Sequence, residues 1–152
     1  MIKLKDLVNE MISAPQRQET PQERAKRLCA ISHIVKASDE DFEWIYETND
    51  FKSPAKELVS NGVGIVIITR GKNGAWAISS DKNEFEIPAQ DIKVIDTIGA
   101  GDTFSAAFLA QLIEKGINTL DKLKTMKIFE LEEILNNSAH ASGVTCSRKG
   151  AN

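Results

Sequence analysis

Apolar residues recur along this chain in two periods, and the two take turns. The first residues, IKLKDLVNEMI, place them at helical spacing, and SAPQRQETP then reads as a loop. Thr20 stands as N-cap ahead of Pro21, the first position of a predicted helix PQERAKRLCAI, where a missing N–H costs nothing. HIVKA is a short strand of the buried type. Ser38 follows it and opens a helix, DEDFEWIYE, while Ser53 and Pro54 open another, AKELVSNG, closed by Asn61 and Gly62. GIVIITRG is the most strand-like run. Its unbroken β-branched series predicts a strand buried on both faces, as in a parallel sheet with helices on each side. AWAISS and EFEIPA, joined by DKN, form a predicted hairpin. The segment IKVIDT leads into a glycine turn. The helix beyond it repeats Phe104, Phe108 and Leu112 with Ala107 beside them, and it stops at Gly116. A further helix is predicted over 120–135, and a last one, rich in small residues, over NNSAHASGVTC. This alternation defines the α/β class, with a parallel sheet as the expected core.

Composition narrows the picture. With 152 residues, 41% of them apolar, the chain has material for one core and one domain. A formal charge of −3 argues against a surface built for nucleic acid and against a polybasic membrane contact. Cys29 and Cys146 match no zinc or redox spacing and read as reduced thiols. No stretch is apolar enough to span a bilayer, and the charged start is unlike a signal peptide, so the expectation is a soluble, cytoplasmic protein.

The chemistry concentrates in IDTIGAGDTFSAAFLAQL. A polar glycine turn carries one carboxylate, Asp102, and passes directly into an apolar helix. A helix start offers unpaired N–H groups and roughly half an elementary positive charge. An acid there is by itself an ordinary stabilising charge. The two glycines, Gly99 and Gly101, ask for more, because each costs backbone entropy unless close approach or positive φ is needed. A cradle for a transferring phosphoryl group uses every part: N–H donors face the developing charge, and a carboxylate receives the proton of the attacking hydroxyl.

These residues resemble a known family. DTIGAGDTFSAAFL is similar to the C-terminal signature of the ribokinase-like, or PfkB-type, carbohydrate kinases, D-T-x-G-A-G-D-x-F. ITRGKNG resembles their T-x-G-x-x-G turn and SRKGAN the segment after their last core helix. IVKASDEDFEWIY resembles the VKxSDEE run of the fructokinase and ketodeoxygluconate kinase branch. The likeness covers nearly all of residues 30–152. It implies a ribokinase-like three-layer sandwich, α/β with a parallel sheet core and helices on both faces. It also implies ATP and Mg²⁺ as cofactors and a sugar, fructose or a related one, as substrate.

Carried over by position, the resemblance makes Asp102 the catalytic base and Gly99, Ala100 and Gly101 the anion hole. The turn of Thr69, Arg70, Gly71, Lys72, Asn73 and Gly74 would bind ATP, with Ser38 and Asn137 nearby. Asp96, the backbone of Ile98, and the loop around Arg148 and Gly150 match positions where some members hold a monovalent cation such as K⁺. Where the family has Asn-x-x-Glu, this chain has Ser38 and Asp41. That pair reads first as a helix capping box and second as a Mg²⁺ position at Asp41. Near the adenine site the aligned position is Ala139, with Asn137 and His140 close by.

Family members run to about twice this length, as a large α/β domain with a lid does. Residues 1–152 therefore resemble the C-terminal nucleotide-binding and catalytic part of a ribokinase-like domain, incomplete, with the N-terminal sugar-binding half and lid absent. Three readings follow: a carbohydrate kinase portion, inactive alone; a non-catalytic nucleotide-binding module; and one half of a split kinase that needs a partner chain or self-assembly. A half sheet exposes apolar edge and face, so the isolated chain is expected to aggregate or to need a partner.

Overall fold

A computed structural model describes residues 18–149. The helix expected over IKLKDLVNEMI lies outside the described residues, as does Gly150. Among the described residues four strands form one sheet: β1 (Ile34–Ser38), β2 (Ile65–Thr69), β3 (Ala75–Ser79) and β4 (Glu84–Ile87), in the order β1-β2-β3-β4. The parallel pairing expected for the core occurs at β1–β2, with Ile34 opposite Ile65. β3 and β4 return antiparallel, so the sheet is mixed. Parallel strands need a crossover helix, and the tight turns after β2 and β3 leave room only for antiparallel return.

β2 explains why both faces are covered. Its alternate residues point to opposite sides. Val66 and Ile68 join Val35, Phe42, Ala55, Leu58 and Trp76 in one core cluster. Ile65 and Ile67 join Phe85, Phe104, Phe108, Ile134 and Leu135 in the other. The first cluster sits under α2 (Asp39–Tyr46) and α3 (Lys52–Ser60), and the second under α4 (Ala100–Glu114) and α6 (Ile128–Cys146). α1 (Pro21–Ile31) buries no residue fully, and α5 (Leu120–Lys124) contributes Leu123. The outcome is a helix–sheet–helix sandwich.

The helix starts follow their caps. Thr20 and Glu23 form a reciprocal capping box at α1. The Ser38 hydroxyl accepts from the Asp41 N–H at 3.1 Å, the forward half of the box expected there. α3 begins at Lys52 rather than at Ser53 or Pro54, because the Asp50 carboxylate takes the Lys52 N–H at 3.0 Å. The helix expected over 120–135 divides in two. Thr119 caps α5, the Thr125 hydroxyl bonds back to the Asp121 carbonyl, and Lys127 is extended before α6 begins. NNSAHASGVTC then continues α6 rather than forming a helix of its own. Its small residues are a contact face: Ser138 and Gly143 are buried, and the Ser142 hydroxyl donates to the Ala100 carbonyl at 2.8 Å.

Among the described residues, no helix is long and apolar enough to cross a membrane.

Candidate active site

β2 delivers the chain into a tight turn. After Thr69, a 3₁₀ turn (Gly71–Asn73) ends at Gly74, with the Gly74 carbonyl accepting the Arg70 N–H at 2.8 Å. Gly74 has φ +78°, and a Cβ there would lie 2.0 Å from the Ile87 carbonyl oxygen. Only glycine fits. The turn is thereby pressed against the end of β4.

Across from it stands the start of α4. Gly99 is left-handed, φ 78°, and no side chain caps the helix. The Thr103 N–H bonds to the Gly99 carbonyl at 2.8 Å, and the Ala100 N–H to the Thr97 carbonyl at 3.2 Å. Helix geometry leaves the next two amides, of Gly101 and Asp102, without intrahelical acceptors. The carboxylate of Asp102 stands exposed in this first turn.

A third element meets them. Lys36, in the middle of β1, places its ammonium 3.3 Å from the Gly101 carbonyl oxygen. A Cβ on residue 101 would come within 2.9 Å of that ammonium. Burial draws the Lys36 pKa below the usual lysine value, while the negative charges of Asp102 and Asp41 oppose the shift. One cation and one carboxylate thus flank a set of free backbone donors.

Between the turn and the helix lies a cleft of about 400 Å³. Thr69, Gly71, Lys72 and Gly74 line one side and Ala100 and Gly101 the other, so these six expected site residues meet in one place. Arg70 and Asn73 belong to the turn but not to the lining. The Arg70 guanidinium pairs with Glu86 and donates to the Asn73 carbonyl at 3.1 Å. Ser38 caps α2, two residues beyond Lys36. The Asn137 amide is tied to Gln111 at 3.0 Å, between α4 and α6. The Asp96 carboxylate accepts the Ile98 N–H at 2.9 Å, and the Ile95 and Asp96 N–H groups share the Cys146 carbonyl. These bonds fasten the approach to α4 onto the end of α6. Asp41 is exposed at the start of α2, and no group of three or more metal-type ligands occurs among the described residues.

Three site residues escaped sequence reasoning. Lys36 is one; its signal was a lone cation inside the otherwise apolar strand HIVKA. Gln90 and Ser142 are the others; unlike Lys36, which stands at the cleft's edge, they line it, beside Ala139. Nothing in their local pattern marks them, since tertiary packing alone brings them there.

The fold is an α/β sandwich with a cleft at the start of α4. The pfkB family carbohydrate kinase model matches residues 2–152, and the chain belongs to that family. It is 39% identical over 107 residues to a fructokinase of Rhizobium leguminosarum bv. trifolii, covering 70% of this chain and 32% of that protein. It is 33% identical over 98 residues to a 5-dehydro-2-deoxygluconokinase of Clostridium beijerinckii, covering 61% and 29%. Among solved structures, aminoimidazole riboside kinase from Salmonella enterica superposes with a TM-score of 0.66 at 27% identity, over 86% of this chain and 41% of that one. Fructokinase from Vibrio cholerae O395, solved with fructose, ADP and calcium, gives 0.69 at 20% identity, over 86% and 40%. The fold is therefore ribokinase-like, and the chain spans 29% to 41% of the length of these four relatives.

Proposed function

We propose that this chain is the nucleotide-binding and catalytic part of a kinase that transfers the γ-phosphoryl group of ATP to a sugar hydroxyl. The observation that carries the reading is the convergence of the α4 start, Asp102 and Lys36 at the edge of one cleft. In the transfer, the Asp102 carboxylate takes the hydroxyl proton, and the alkoxide oxygen bonds to the γ-phosphorus. The bond from that phosphorus to the β–γ bridging oxygen breaks, and ADP leaves. The Gly101 and Asp102 N–H groups and the Lys36 ammonium face the negative charge on the transferring group, and they need no reorganisation as it develops. The missing side chain of Gly101 lets both the phosphate and Lys36 come close.

Mg²⁺ arriving with the nucleotide would neutralise phosphate charge, and Asp41, whose charge acts on Lys36, is the residue that would hold it. K⁺ near Asp96, Ile98 and Arg148 would stiffen the approach to α4. Fructose is the favoured acceptor, supported by the likeness of VKASDED to the fructokinase branch and by the R. leguminosarum relative. An ATP-using enzyme of this kind belongs in the cytoplasm.

A second reading has its own support. β1 is an edge strand among the described residues. Beside it Ile34, Leu109, Ile113 and Ile117 line an apolar groove of about 230 Å³. The occupant that fits is the rest of a kinase fold, joined in one polypeptide or supplied as a second chain, which would bring the sugar and exclude water.

The test is ADP release from MgATP by this chain over a panel of sugars, with Asp102→Asn alongside. Sugar-dependent release that the variant loses establishes the kinase and names its acceptor. Release equal in both proteins overturns the role of Asp102. Silence in both, with ATP still bound, supports the incomplete-kinase reading.

A further inference from the structure

Gln90 enters the cleft from the segment between β4 and α4, and its amide is held in place. Its Oε1 lies 3.2 Å from Nδ1 of His140 on α6. Its aliphatic part packs on Gly143, where an added Cβ would come 3.0 Å from Gln90 Cγ and 3.1 Å from its Cβ. The surrounding walls are small and apolar: Pro88, Ala89 and Ile92 from the same segment, and Ala139 and Gly143 from α6.

Two other polar side chains at the cleft are already committed. The Ser142 hydroxyl donates to the Ala100 carbonyl at 2.8 Å, and the Thr69 hydroxyl to the Ala37 carbonyl at 3.3 Å. With phosphates at the start of α4, the apolar slot is left for the flat heteroaromatic base. Such walls supply affinity and little selection; selection needs a polar group of fixed orientation.

We propose that Gln90, positioned by His140, is the residue that selects the nucleotide base, and that it selects adenine. In the tautomer with the proton on Nδ1, His140 donates to the Gln90 oxygen, which turns the amide nitrogen, a donor, toward the ligand. A donor suits the N1 edge of adenine, an acceptor, and opposes N1–H of guanine. Gly143 is the position whose missing side chain gives Gln90 room. The inference rests on the cleft being a nucleotide site, and it adds which base the site takes and by which group.

The experiment is titration calorimetry of this chain with MgATP and MgGTP, beside Gln90→Met, His140→Ala and His140→Gln. Gln90→Met keeps the packing against Gly143 and removes the amide. It is expected to weaken ATP about five- to tenfold, the loss of one hydrogen bond, and to bring the GTP/ATP ratio of Kd values toward one. His140→Ala moves the ratio the same way, and His140→Gln, which donates from its own amide, restores it. Matching melting curves check that the variants fold. A wild-type ratio in Gln90→Met, or equal weakening of both nucleotides, overturns the inference and leaves the nucleotide site standing. A wild-type chain that binds neither nucleotide overturns both.

Discussion

The ammonium of Lys36 lies 3.3 Å from the carbonyl oxygen of Gly101, a contact that joins β1 to the first turn of α4 across 65 residues of sequence. The carbonyl fixes the cation in place, and the absence of a side chain at residue 101 leaves it accessible. The Asp102 carboxylate in the same turn attracts it. A helix start that already favours anions is thus reinforced by a full positive charge.

Lys36→Met should therefore weaken nucleotide binding by about ten- to a hundredfold, as expected for a charge-assisted contact to phosphate. Calorimetry with MgATP reads it directly. The pH dependence has a definite sign. The charged lysine binds the anion, so affinity falls as pH rises through its pKa. Burial lowers that pKa, placing the fall below the 10.5 of a solvated lysine. Stability runs the other way over the same window, rising with pH, because the unfolded chain holds more protons there. An alkaline limb in binding that persists unchanged in Lys36→Met would show that another group is responsible.

Asp102→Asn should leave nucleotide affinity within about threefold and cut the rate of an assembled kinase by at least about 10²-fold, the lower range for losing general-base help. The KM for ATP and kcat separate the two effects. A near-normal kcat would remove Asp102 from the base role.

The structure shows which parts of this were legible in the sequence. Helix starts were readable where a side chain makes the cap, as Thr20 and Ser38 do. The double burial of β2 followed from its β-branched run. The start of α3 was misplaced because Asp50, two residues outside the helix, supplies the cap. The single long helix of α6 was missed because its small residues resemble a break, whereas Ser138, Ser142 and Gly143 are where α4 and the cleft segment come closest. At the site, the glycine turn and Asp102 were legible because strain and charge are local properties. Lys36 and Gln90 were not, since each acquires its role from a partner more than 45 residues away.

Two glycines of one turn should respond differently to the same change. At Gly74 an alanine must hold φ +78° with its Cβ 2.0 Å from the Ile87 carbonyl oxygen, so β4 has to move. Gly74→Ala is expected to cost roughly 3 kcal/mol or more, strain and clash together. At Gly71 φ is +51° and a Cβ meets nothing within 4 Å, so Gly71→Ala should cost only about 1 kcal/mol. Urea midpoints of the two variants measure the contrast. Equal losses would mean that the turn is not held against β4.

The apolar groove beside β1 makes a prediction about solution behaviour. Ile113 is 72% exposed and Leu109 48%, and both face the groove that Ile34 borders. Next to them runs a strand whose outer edge has no neighbour among the described residues. Unpaired strand edge and contiguous apolar surface together favour association with whatever can cover them. In the isolated chain the available cover is another copy, so light scattering should report oligomers or aggregates that grow with concentration. Replacing Leu109 with Lys and Ile113 with Glu should shift the population toward monomer without lowering the melting temperature by more than a few degrees, since neither side chain is in the core. A wild-type chain that stays monodisperse and monomeric at high concentration would show that this face needs no cover, and the incomplete-fold reading would fail with it.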